Sequence, residues 1–445
     1  MSPTRTFIAK LKEMVGQEVT IKGWVDIRRD HGKLIFIDLR DRTGKVQCVI
    51  VPSALKAYEA GKDLRSEWVV QMTGVVQERP GNMRNDKEPN GTIELAVSEI
   101  EVLSRAAEMP FELGTELNLD TYLDHLPLTL RTPRARDIFT LQATLVEEYR
   151  TVLRNQGFTE FQAPGIVGGD AEGGAAVFKV EYLKDKAAYL ATSPQFYKQI
   201  MVGIFERVFT IAKVFRAEEH ATSRHLNEYS TLDFEMGFVR DHHDVMETLE
   251  KALRHLVKAV SEKHSDILIR FGMEIPLLPQ NIPVMKLREA QEIITKETGE
   301  DCVNEPDLEP AHERFLCEYA RKNLNSDFLF VTHYPVSKRP FYTYEDETDP
   351  GFTKSFDLLF RGVEIVTGGQ RIHDYNTLVE KIKAKNLNPE KFSFYLEAFK
   401  YGMPPHGGCA IGLERLTQKF LGLENVKEAA LFPRDMNRID TLLSQ

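Results

Sequence analysis

The segment from residue 215 to residue 235 constrains this chain more than any other. It reads FRAEEHATSRHLNEYSTLDFE and lies between two apolar, strand-like runs, VFTIAKV and MGFV. Apolar runs on both sides of a polar stretch predict an antiparallel hairpin. The polar residues at the strand ends need water or an anionic partner, and their spacing suits a grip on a triphosphate, although a solvated hairpin explains the same pattern. These residues are Arg216, Glu218, Arg224, His225 and Glu228.

The composition indicates a globular protein of more than one domain. The chain has 445 residues, of which 42% are hydrophobic and 28% are charged, which is enough for two or three domains. No apolar run reaches the roughly eighteen residues of a membrane span, and the N-terminus lacks the apolar core of a signal peptide, so we expect a cytoplasmic protein. The cysteines lack C-x-x-C spacing, which argues against a zinc or disulfide framework. The net charge of −10 argues against a protein that coats nucleic acid without specificity.

The N-terminal residues alternate between apolar and polar in the manner of short strands. Turn signals at His31-Gly32 and Thr43-Gly44 break the run 18–50, and further strand-like runs cover 68–77 and 91–104. About five short strands in about 100 residues indicate a small Greek-key barrel of OB type. We therefore assign residues 1–105 to such a barrel.

A second domain of mixed structure is expected after a hinge at 106–132. Thr132 suits the N-cap and Pro133 the first position of an amphipathic helix, and a second amphipathic helix is expected over about 242–264. GFTEFQAPGIV and SFDLLFRGVEIVTGG are expected to be strands. Antiparallel strands flanked by helices over residues 133–445 indicate an α+β domain.

Two further segments carry side chains suited to an anionic ligand. In ATSPQFYKQIMVGIF (191–205), Ser193 and Pro194 are expected to start a helix whose first turn presents Gln195 and Lys198. In 401–422, a Pro/Gly-rich loop is expected to lead into an apolar strand and then into a helix that carries Arg415. Plain helix capping with a surface lysine, and a solvent-facing arginine, are the alternatives.

Asp357 and Glu364 lie seven residues apart in strand-like sequence. Mg²⁺ binds one or two carboxylates and completes its shell with phosphate and water, so this pair suits Mg²⁺. Gly368-Gly369 would let a ligand approach the backbone, and Arg371 follows. A strand with scattered exposed charges is the alternative. The small residues of 167–178 surround a single carboxylate, Glu172, in a composition typical of a mobile flap or of a plain surface loop.

Together these segments resemble the class II aminoacyl-tRNA synthetases. FRAEEH, RHLNEY and DFE look like the second motif of that family, and GCAIGLERL looks like the third. The helix and EFQAPGIV within 134–167 look like the first, dimer-forming motif, with Pro164 as its proline. The N-terminal barrel narrows the resemblance to the aspartate, asparagine and lysine subgroup. SPQFYKQ, GGQRIH and FRAEEH are closest to the aspartyl branch, and the roughly 120 residues between Glu235 and Asp357 match its shorter, archaeal-type form.

The resemblance implies a site that activates L-aspartate with ATP and Mg²⁺ and passes it to tRNA-Asp. Arg216 should hold the α-phosphate and stabilise its developing charge, while Tyr229 and Arg415 should enclose the adenine, so Arg216 and Arg415 are the implied catalytic residues. The other implied ATP ligands are Glu218, Arg224, His225 and Glu364, and the implied Mg²⁺ ligands are Asp357 and Glu364.

The resemblance also implies an aspartate pocket. Lys198 and Arg371 should pair with the side-chain carboxylate, and asparagine would leave these cations unpaired at a cost of about 3–5 kcal/mol. No editing domain is then required. Asp233 and Gln195 should shape the pocket, and Ser193 and Glu172 should meet the α-amino group.

The barrel is expected to bind the tRNA anticodon, because OB folds stack and read splayed bases. Phe36 should stack, Gln47 and Arg28 should contact bases, and Glu94 should read the first base, unless Phe36 is an ordinary core residue. Relatives with strict tRNA choice often carry a bulkier apolar residue at the position of His31. With His31 and Gly81, the chain resembles enzymes that also charge tRNA-Asn with aspartate. An amidotransferase then converts the Asp-tRNA-Asn that such enzymes make. An enzyme that charges tRNA-Asp alone remains the alternative.

Three other readings share parts of this scaffold. An asparaginyl enzyme is disfavoured by Lys198 and by Asp233-Phe234-Glu235. A tRNA-independent ligase related to asparagine synthetase would not need the barrel. A non-catalytic RNA-binding paralogue should have lost Arg216, Arg415 or the metal carboxylates. A homodimer is implied by the resemblance of the first motif.

Overall fold

Alternating apolar residues close the N-terminal part of the chain into a barrel. The computed structural model describes residues 4–86, 88–169, 176–219 and 222–439 and divides into two units, Met1–Thr115 and Glu116–Gln445. The boundary falls within the segment expected as a hinge, although two short helices occupy part of 119–129.

The first unit is a closed barrel of five strands, as the alternation predicted. Its strand order is β1-β2-β3-β5-β4, and every second residue, such as Ile35, Ile37 and Leu39, is buried in its core. A 3-10 helix, Ile8–Met14, adds two more core residues. The elements are β1 (Glu18–His31), β2 (Leu34–Asp41), β3 (Gly44–Ile50), α1 (Leu55–Asp63), β4 (Val69–Glu78) and β5 (Ile93–Ser104).

The second unit is built on an eight-stranded sheet, which confirms the α+β class. Its order is β12-β13-β14-β15-β16-β11-β10-β6, antiparallel from β13 to β10 and parallel at both edges, and β7-β9-β8 form a separate small sheet. The elements are α2 (Leu119–Asp124), α3 (Leu126–Thr129), α4 (Pro133–Asn155), β6 (Thr159–Glu160), β7 (Ile166–Val167), β8 (Lys179–Glu181), β9 (Ala187–Leu190), α5 (Gln195–Phe205), β10 (Arg207–Phe215), β11 (Glu228–Gly237), α6 (His242–Arg270), β12 (Val284–Lys286), α7 (Leu287–Thr298), α8 (Pro310–Leu324), β13 (Phe328–Thr332), β14 (Ser355–Phe360), β15 (Val363–Arg371), α9 (Tyr375–Ala384), α10 (Ser393–Lys400), β16 (His406–Gly412) and α11 (Leu413–Leu421).

The two long helices pack on the sheet and share its largest apolar core. Helix α4 begins as predicted, because the Thr132 hydroxyl accepts a hydrogen bond from the Ala135 N–H at 3.3 Å. Helix α6 continues past the expected end to Arg270 through a non-helical residue, His264, whose ring lies 2.8 Å from the Thr144 hydroxyl. Among the described helices, none has both the length and the apolar character that crossing a bilayer requires.

Three local predictions need correction. GFTEFQAPGIV forms only the two-residue strands β6 and β7, and Pro164, which has no N–H to donate, lies between them. SFDLLFRGVEIVTGG is a hairpin, because Arg361 and Gly362 take positive φ angles of 46° and 86° and reverse the chain. Helix α5 starts one residue later than predicted, with Pro194 as its N-cap.

Candidate active site

A cavity of about 400 Å³ lies on one face of the sheet of the second unit. The predicted hairpin forms one of its walls, with Val214 paired to Tyr229 and Phe215 to Glu228. Asp357 is not among its lining residues, and Glu172 lies outside the described residues. The cavity brings together these residues that the sequence singled out: Ser193, Gln195, Lys198, Arg216, Glu218, Arg224, His225, Tyr229, Asp233, Glu364, Arg371 and Arg415.

Strand β11 aims its polar side chains into the cavity by alternation. Tyr229, Thr231 and Asp233 are two residues apart, share one face of the strand and all line the cavity. The neighbouring strand β16 can approach closely because Gly408 has no side chain. A Cβ on Gly408 would lie 2.2 Å from a carboxylate oxygen of Glu235.

The floor of the cavity carries two buried cations, Lys198 and Arg371, and the buried carboxylate of Asp233, with the buried carboxylate of Glu235 next to them. The Lys198 ammonium lies 3.1 Å from Asp233 Oδ1, 3.3 Å from Glu235 Oε2 and 3.2 Å from the Cys409 carbonyl. The Arg371 guanidinium donates from Nε to Glu235 Oε1 at 2.9 Å and from Nη2 to the Gly408 carbonyl at 2.8 Å. Glu235 therefore bridges both cations, a contact that the sequence analysis did not assign to it.

The charges on Glu235 and Arg371 persist at neutral pH. Burial raises the pKa of Glu235, but Arg371 and Lys198 outweigh it and hold that pKa below its ordinary value. Burial lowers the pKa of Arg371, but Glu235 more than compensates, so this pKa is raised. Two polar atoms that face this network, Asp233 Oδ2 and Gln195 Nε2, have no hydrogen-bond partner among the described residues. A ligand with both donor and acceptor groups would satisfy them.

The end of the hairpin is held in shape by Asn227. Its side-chain amide donates to the carbonyls of Arg216 at 2.6 Å and Glu218 at 3.0 Å, and the Arg216 N–H donates to its carbonyl at 2.9 Å. The Arg216 guanidinium lies 3.8 Å from the Glu218 carboxylate. Both side chains stay about one-third exposed, so they can reach a ligand in the cavity.

A carboxylate that the sequence analysis missed, Glu313 on α8, anchors the loop of the hairpin. Both of its oxygens accept hydrogen bonds from Arg224 Nη2, at 2.8 and 2.6 Å, and Oε2 also accepts from the Glu364 N–H at 2.8 Å. Burial raises the pKa of Glu313, with Arg224 opposing. In the same loop, His225 Nδ1 lies 2.6 Å from the Thr222 hydroxyl.

Helix α11 closes the cavity from the other side. Arg415 donates from Nη1 to the Glu364 carbonyl at 3.0 Å, so its guanidinium lies beside β15. The neighbouring Glu414 accepts from the Ser230 N–H with both oxygens at 3.0 Å, which ties α11 to β11. Arg415 and Tyr229 consequently face the same cavity from different elements.

The two candidate metal carboxylates lie on neighbouring strands of one hairpin. Asp357 pairs with Thr367, whose hydroxyl donates to Glu364 Oε1 at 2.6 Å. Asp357 Oδ2 accepts from Arg339 Nη2 at 2.7 Å, whereas its buried Oδ1 has no hydrogen-bond partner among the described residues. Burial, reinforced by Glu364 and opposed by Arg339, raises the pKa of Asp357 to about 7. An unsatisfied carboxylate oxygen beside a second carboxylate fits a Mg²⁺ ligand set.

Arg339 has no counterpart in the sequence analysis. It lines the cavity, its guanidinium lies 3.9 Å from the centre of the Tyr334 ring, and its Nε donates to the Ser355 hydroxyl at 3.2 Å. Its partners Ser355 and Asp357 are 16 and 18 positions away in the chain and meet it only in the folded structure. The sequence signal that could have identified it, a single arginine before Pro340, is weak.

One outer face of the barrel carries a ladder of polar side chains beside an aromatic ring. Gln47 and Gln77 donate to the Glu94 carboxylate at 2.9 and 2.8 Å, and Arg29 pairs with both oxygens of Asp38 at 2.9 Å. Asp38, Gln47, Glu94 and Gln77 lie on four of the five strands, each opposite the next in register, and Arg29 on β1 extends the ladder to the fifth strand.

Phe36 lies on the outer side of the barrel. It is half-buried, it stands outside the apolar core cluster, and its ring meets the edge of His31 at 5.7 Å, so the core alternative does not hold. Arg28 turns elsewhere: it donates to the Gly61 carbonyl at 3.0 Å and pairs with Asp30 at 2.9 Å. Gly81 is exposed, and a Cβ there would meet open space.

Comparison with known families assigns both units. The model of the class II tRNA synthetases (D, K and N) matches residues 118–436, and the model of the OB-fold nucleic acid binding domain matches residues 19–103. The chain is 48% identical to the aspartate–tRNA(Asp/Asn) ligase of Thermus thermophilus over 98% of this chain and 99% of that relative. It is 41% identical to the aspartate–tRNA(Asp) ligase of Picrophilus torridus over 95% of this chain and 97% of that relative.

Solved structures of the same fold include enzymes of two specificities. The asparaginyl-tRNA synthetase of Pyrococcus horikoshii in complex with asparaginyl-adenylate has a TM-score of 0.89 at 31% identity and covers 98% of this chain and 99% of its own. The aspartyl-tRNA synthetase of Entamoeba histolytica has a TM-score of 0.87 at 29% identity and covers 99% of this chain and 93% of its own. The fold alone therefore does not show which amino acid an enzyme of this kind activates, and we look for that specificity in the residues of the cavity.

Proposed function

The chain belongs to the class II tRNA synthetases of the D, K and N group, and we propose that it is an aspartate–tRNA ligase. It activates L-aspartate with ATP to aspartyl-adenylate and pyrophosphate, and then transfers aspartate to the 3′ end of tRNA-Asp. The observation that carries this proposal is the buried pair of cations, Lys198 and Arg371, on the floor of the cavity that also holds Arg216 and Arg415.

The two cations select the side-chain carboxylate of aspartate. Asp233 and Glu235 hold Lys198 and Arg371 in place, so the cations are preorganised to receive a further carboxylate. The neutral amide of asparagine would lose the charge-assisted hydrogen bonds that the carboxylate accepts from both cations, at a cost of about 3–5 kcal/mol or roughly 10²–10⁴-fold in rate.

The opposite end of the amino acid meets other residues. Gln195 Nε2 and Asp233 Oδ2 have no hydrogen-bond partner among the described residues, and they suit the α-carboxylate and the α-ammonium group, respectively. Ser193 and Glu172 are the other residues that we propose contact the α-amino group of the substrate.

The triphosphate of ATP lies along the hairpin and α11. Arg216 binds the α-phosphate and stabilises the negative charge that develops there, because a guanidinium forms two charge-assisted hydrogen bonds in fixed geometry. Tyr229 stacks on the adenine with Arg415 on its other side, and Glu218 contacts the adenine or ribose. Arg224 and His225 meet the outer phosphates.

Asp357 and Glu364 would hold Mg²⁺, whose charge supports binding and orientation of the phosphates. The unsatisfied Oδ1 of Asp357 supports this ligand set. Arg339 keeps the other oxygen of Asp357 oriented.

The reaction needs no side-chain nucleophile. An oxygen of the aspartate α-carboxylate attacks the α-phosphorus and pyrophosphate leaves; a hydroxyl of the terminal adenosine then attacks the adenylate carbonyl and AMP leaves. The four cysteines are buried, and burial raises the pKa of the Cys409 thiol under the cavity floor, so it stays protonated.

The barrel, proposed as residues 1–105, binds the anticodon of the tRNA, and residues 133–445 carry out catalysis. Phe36 stacks on a base, and Gln47 and Glu94 contact base edges, whereas the contacts of Arg28 with Gly61 and Asp30 remove it from this set. His31 and Gly81 leave room for tRNA-Asn as a second acceptor, which agrees with the dual specificity in the names of several relatives. An amidotransferase would then consume the Asp-tRNA-Asn, and we place the reaction in the cytoplasm.

A homodimer through α4 completes the proposal. The exposed side of α4 carries Phe139, Ala143 and Val146 along a surface groove that also includes Leu431. Apolar side chains in such a groove suit burial against a second copy of the chain.

Aminoacylation of purified tRNA-Asp and tRNA-Asn with both amino acids tests the function. We expect aspartate to be attached to tRNA-Asp, and to tRNA-Asn as well if the specificity is dual. Attachment of asparagine to tRNA-Asn at a comparable rate would overturn the assignment in favour of the asparaginyl enzyme.

A further inference from the structure

A second group of ligand-type side chains lies at the start of α6. One carboxylate oxygen of Asp241 and one ring nitrogen each of His242 and His243 lie within 4.8 Å of one another, the one such cluster among the described residues. None of the three lines the cavity described above. The cluster is therefore separate from the proposed aspartate and ATP sites.

His242 is buried without partners for its polar atoms. Its exposed fraction is 2%, and neither ring nitrogen forms a hydrogen bond to another described residue. A neutral imidazole has one N–H donor and one lone pair, and buried groups of this kind are normally satisfied. The ring lies 4.1 Å from that of His243, so the unsatisfied side chain is directed into the cluster.

The nearest other histidine cannot satisfy His242. The ring of His333 lies 5.3 Å away, but its Nε2 already contacts Asp346 at 3.1 Å and its Nδ1 contacts the Thr332 hydroxyl at 2.9 Å. The unsatisfied nitrogens of His242 thus point to a ligand that the described part of the chain does not supply.

His243 and Asp241 give this ligand a path from solvent. The side chain of His243 is 62% exposed, and its Nδ1 lies 3.1 Å from Asp241 Oδ1, which also caps the His243 N–H at 2.8 Å. Donor atoms around a tetrahedral ion with bonds of about 2.0–2.1 Å are roughly 3.3 Å apart, and rotation of the exposed His243 ring can close that gap.

The surrounding charges favour an ion that binds nitrogen lone pairs over one attracted by charge alone. The Lys354 ammonium lies 4.0 Å from Oδ1 of Asp346, the carboxylate that contacts His333. The N-terminus of a helix adds a partial positive charge. Arg240 is already paired with Asp244, its N–H donating at 2.7 Å. A hard ion such as Mg²⁺ or Ca²⁺ would find one carboxylate in a positive environment, whereas imidazoles suit Zn²⁺, Co²⁺, Ni²⁺ or Cu²⁺.

We propose that Asp241, His242 and His243 bind a first-row divalent transition-metal ion, with water in the remaining position. The ion would bind the unsatisfied buried imidazole of His242 together with the exposed imidazole of His243, and would hold the first turn of α6 in place. This site is independent of the Mg²⁺ of the proposed reaction.

Metal titration of the chelator-treated full-length protein tests the site, in buffer without ATP. Co²⁺ is followed by its visible absorption and Zn²⁺ by calorimetry, in wild type, His243→Gln and Asp241→Asn. His255→Gln is the matched control, because His255 lies on the same helix and contacts Glu148. We expect one saturating ion per chain in wild type and in the control, and at least tenfold weaker binding in His243→Gln.

A second readout uses thermal unfolding. An ion that binds only the folded state raises the unfolding midpoint, so Zn²⁺ should raise it in wild type and in His255→Gln but not in His243→Gln. Pyrophosphate exchange with Mg²⁺ should be unchanged in His243→Gln. The absence of saturable binding, or equal binding by wild type and His243→Gln, would overturn the site, as would equal loss in the control. Because His243 is exposed, its replacement tests the site even if His242→Gln does not fold.

Discussion

Glu313 holds Arg224 with both of its carboxylate oxygens, at 2.8 and 2.6 Å from a single guanidinium nitrogen. The two residues are 89 positions apart in the chain. The same carboxylate accepts the backbone N–H of Glu364, so one buried side chain links the hairpin loop to the strand of the proposed metal ligand. The end of the cavity that we propose for the phosphates thus depends on a helix that no local motif connects with it.

Glu313→Gln should weaken ATP binding, because the neutral amide loses charge-assisted hydrogen bonds worth about 1.5–3 kcal/mol to Arg224. We expect the KM for ATP in pyrophosphate exchange to rise roughly 10- to 100-fold, with a smaller change for aspartate. Glu318→Gln, at an exposed position of the same helix, is the control. An unchanged KM for ATP would contradict the positioning role.

Lys198→Met should abolish activation of aspartate and leave ATP binding nearly intact. The change removes the buried cation that Asp233 and Glu235 hold and that we propose binds the substrate carboxylate. Pyrophosphate exchange and direct ATP binding measure the two effects, with Lys213→Met on β10 as an exposed control. Exchange at the wild-type rate would refute the pocket assignment.

Asp357→Asn should increase the Mg²⁺ concentration needed for half-maximal pyrophosphate exchange by tenfold or more. An amide oxygen is a weaker ligand for this hard cation than a carboxylate. Titration of Mg²⁺ at saturating ATP and aspartate measures the change, and Asp301→Asn, at an exposed position, should behave as wild type. An identical Mg²⁺ dependence would remove Asp357 from the ligand set.

His31→Leu should reduce charging of tRNA-Asn more than charging of tRNA-Asp. The replacement puts a bulkier apolar side chain beside Phe36, which the His31 ring now meets at its edge. Initial rates with each purified tRNA give the ratio, and pyrophosphate exchange without tRNA should stay unchanged. Equal losses for both tRNAs would argue against dual specificity.

The second unit should lose stability as the pH falls below about 6.5, in part through His406. Burial, only partly opposed by Glu235 and the Pro404 carbonyl, lowers the pKa of His406 from 6.5 to about 4. Between these values the unfolded chain binds the proton and the folded chain does not. The contribution of neutral His406 to the free energy of unfolding is therefore fully present above pH 6.5. It decreases towards pH 4, by up to about 1.4 kcal/mol per pH unit.

Unfolding curves at pH 7.5, 6.0 and 5.0 test this dependence. His406→Gln should show a smaller loss between pH 7.5 and 5.0 than the wild type, whatever its stability at neutral pH. An identical pH slope in both proteins would mean that His406 does not contribute.

Much of the fold is visible in local patterns. Alternation of apolar residues predicts the barrel and the β10–β11 hairpin, and the Thr132-Pro133 start predicts α4, because periodicity and capping act between near neighbours. The turn at Arg361-Gly362 was missed, since this pair is not one of the strong hairpin turn sequences and both flanks are apolar. Because the residues on both sides of the turn are apolar, the pattern predicts continuous strand across β14 and β15.

The sequence by itself determined which side chains are available: the cations at 198 and 371, the arginines of the two motifs and the carboxylates at 357 and 364. Only the tertiary structure decided their partners. Glu235 bridges both pocket cations, Glu313 holds Arg224, and Arg339 takes one oxygen of Asp357. These choices depend on distances between strands and helices that are far apart in the chain. Coulomb interactions and hydrogen bonds depend on separation in space, which residue types and their spacing do not specify.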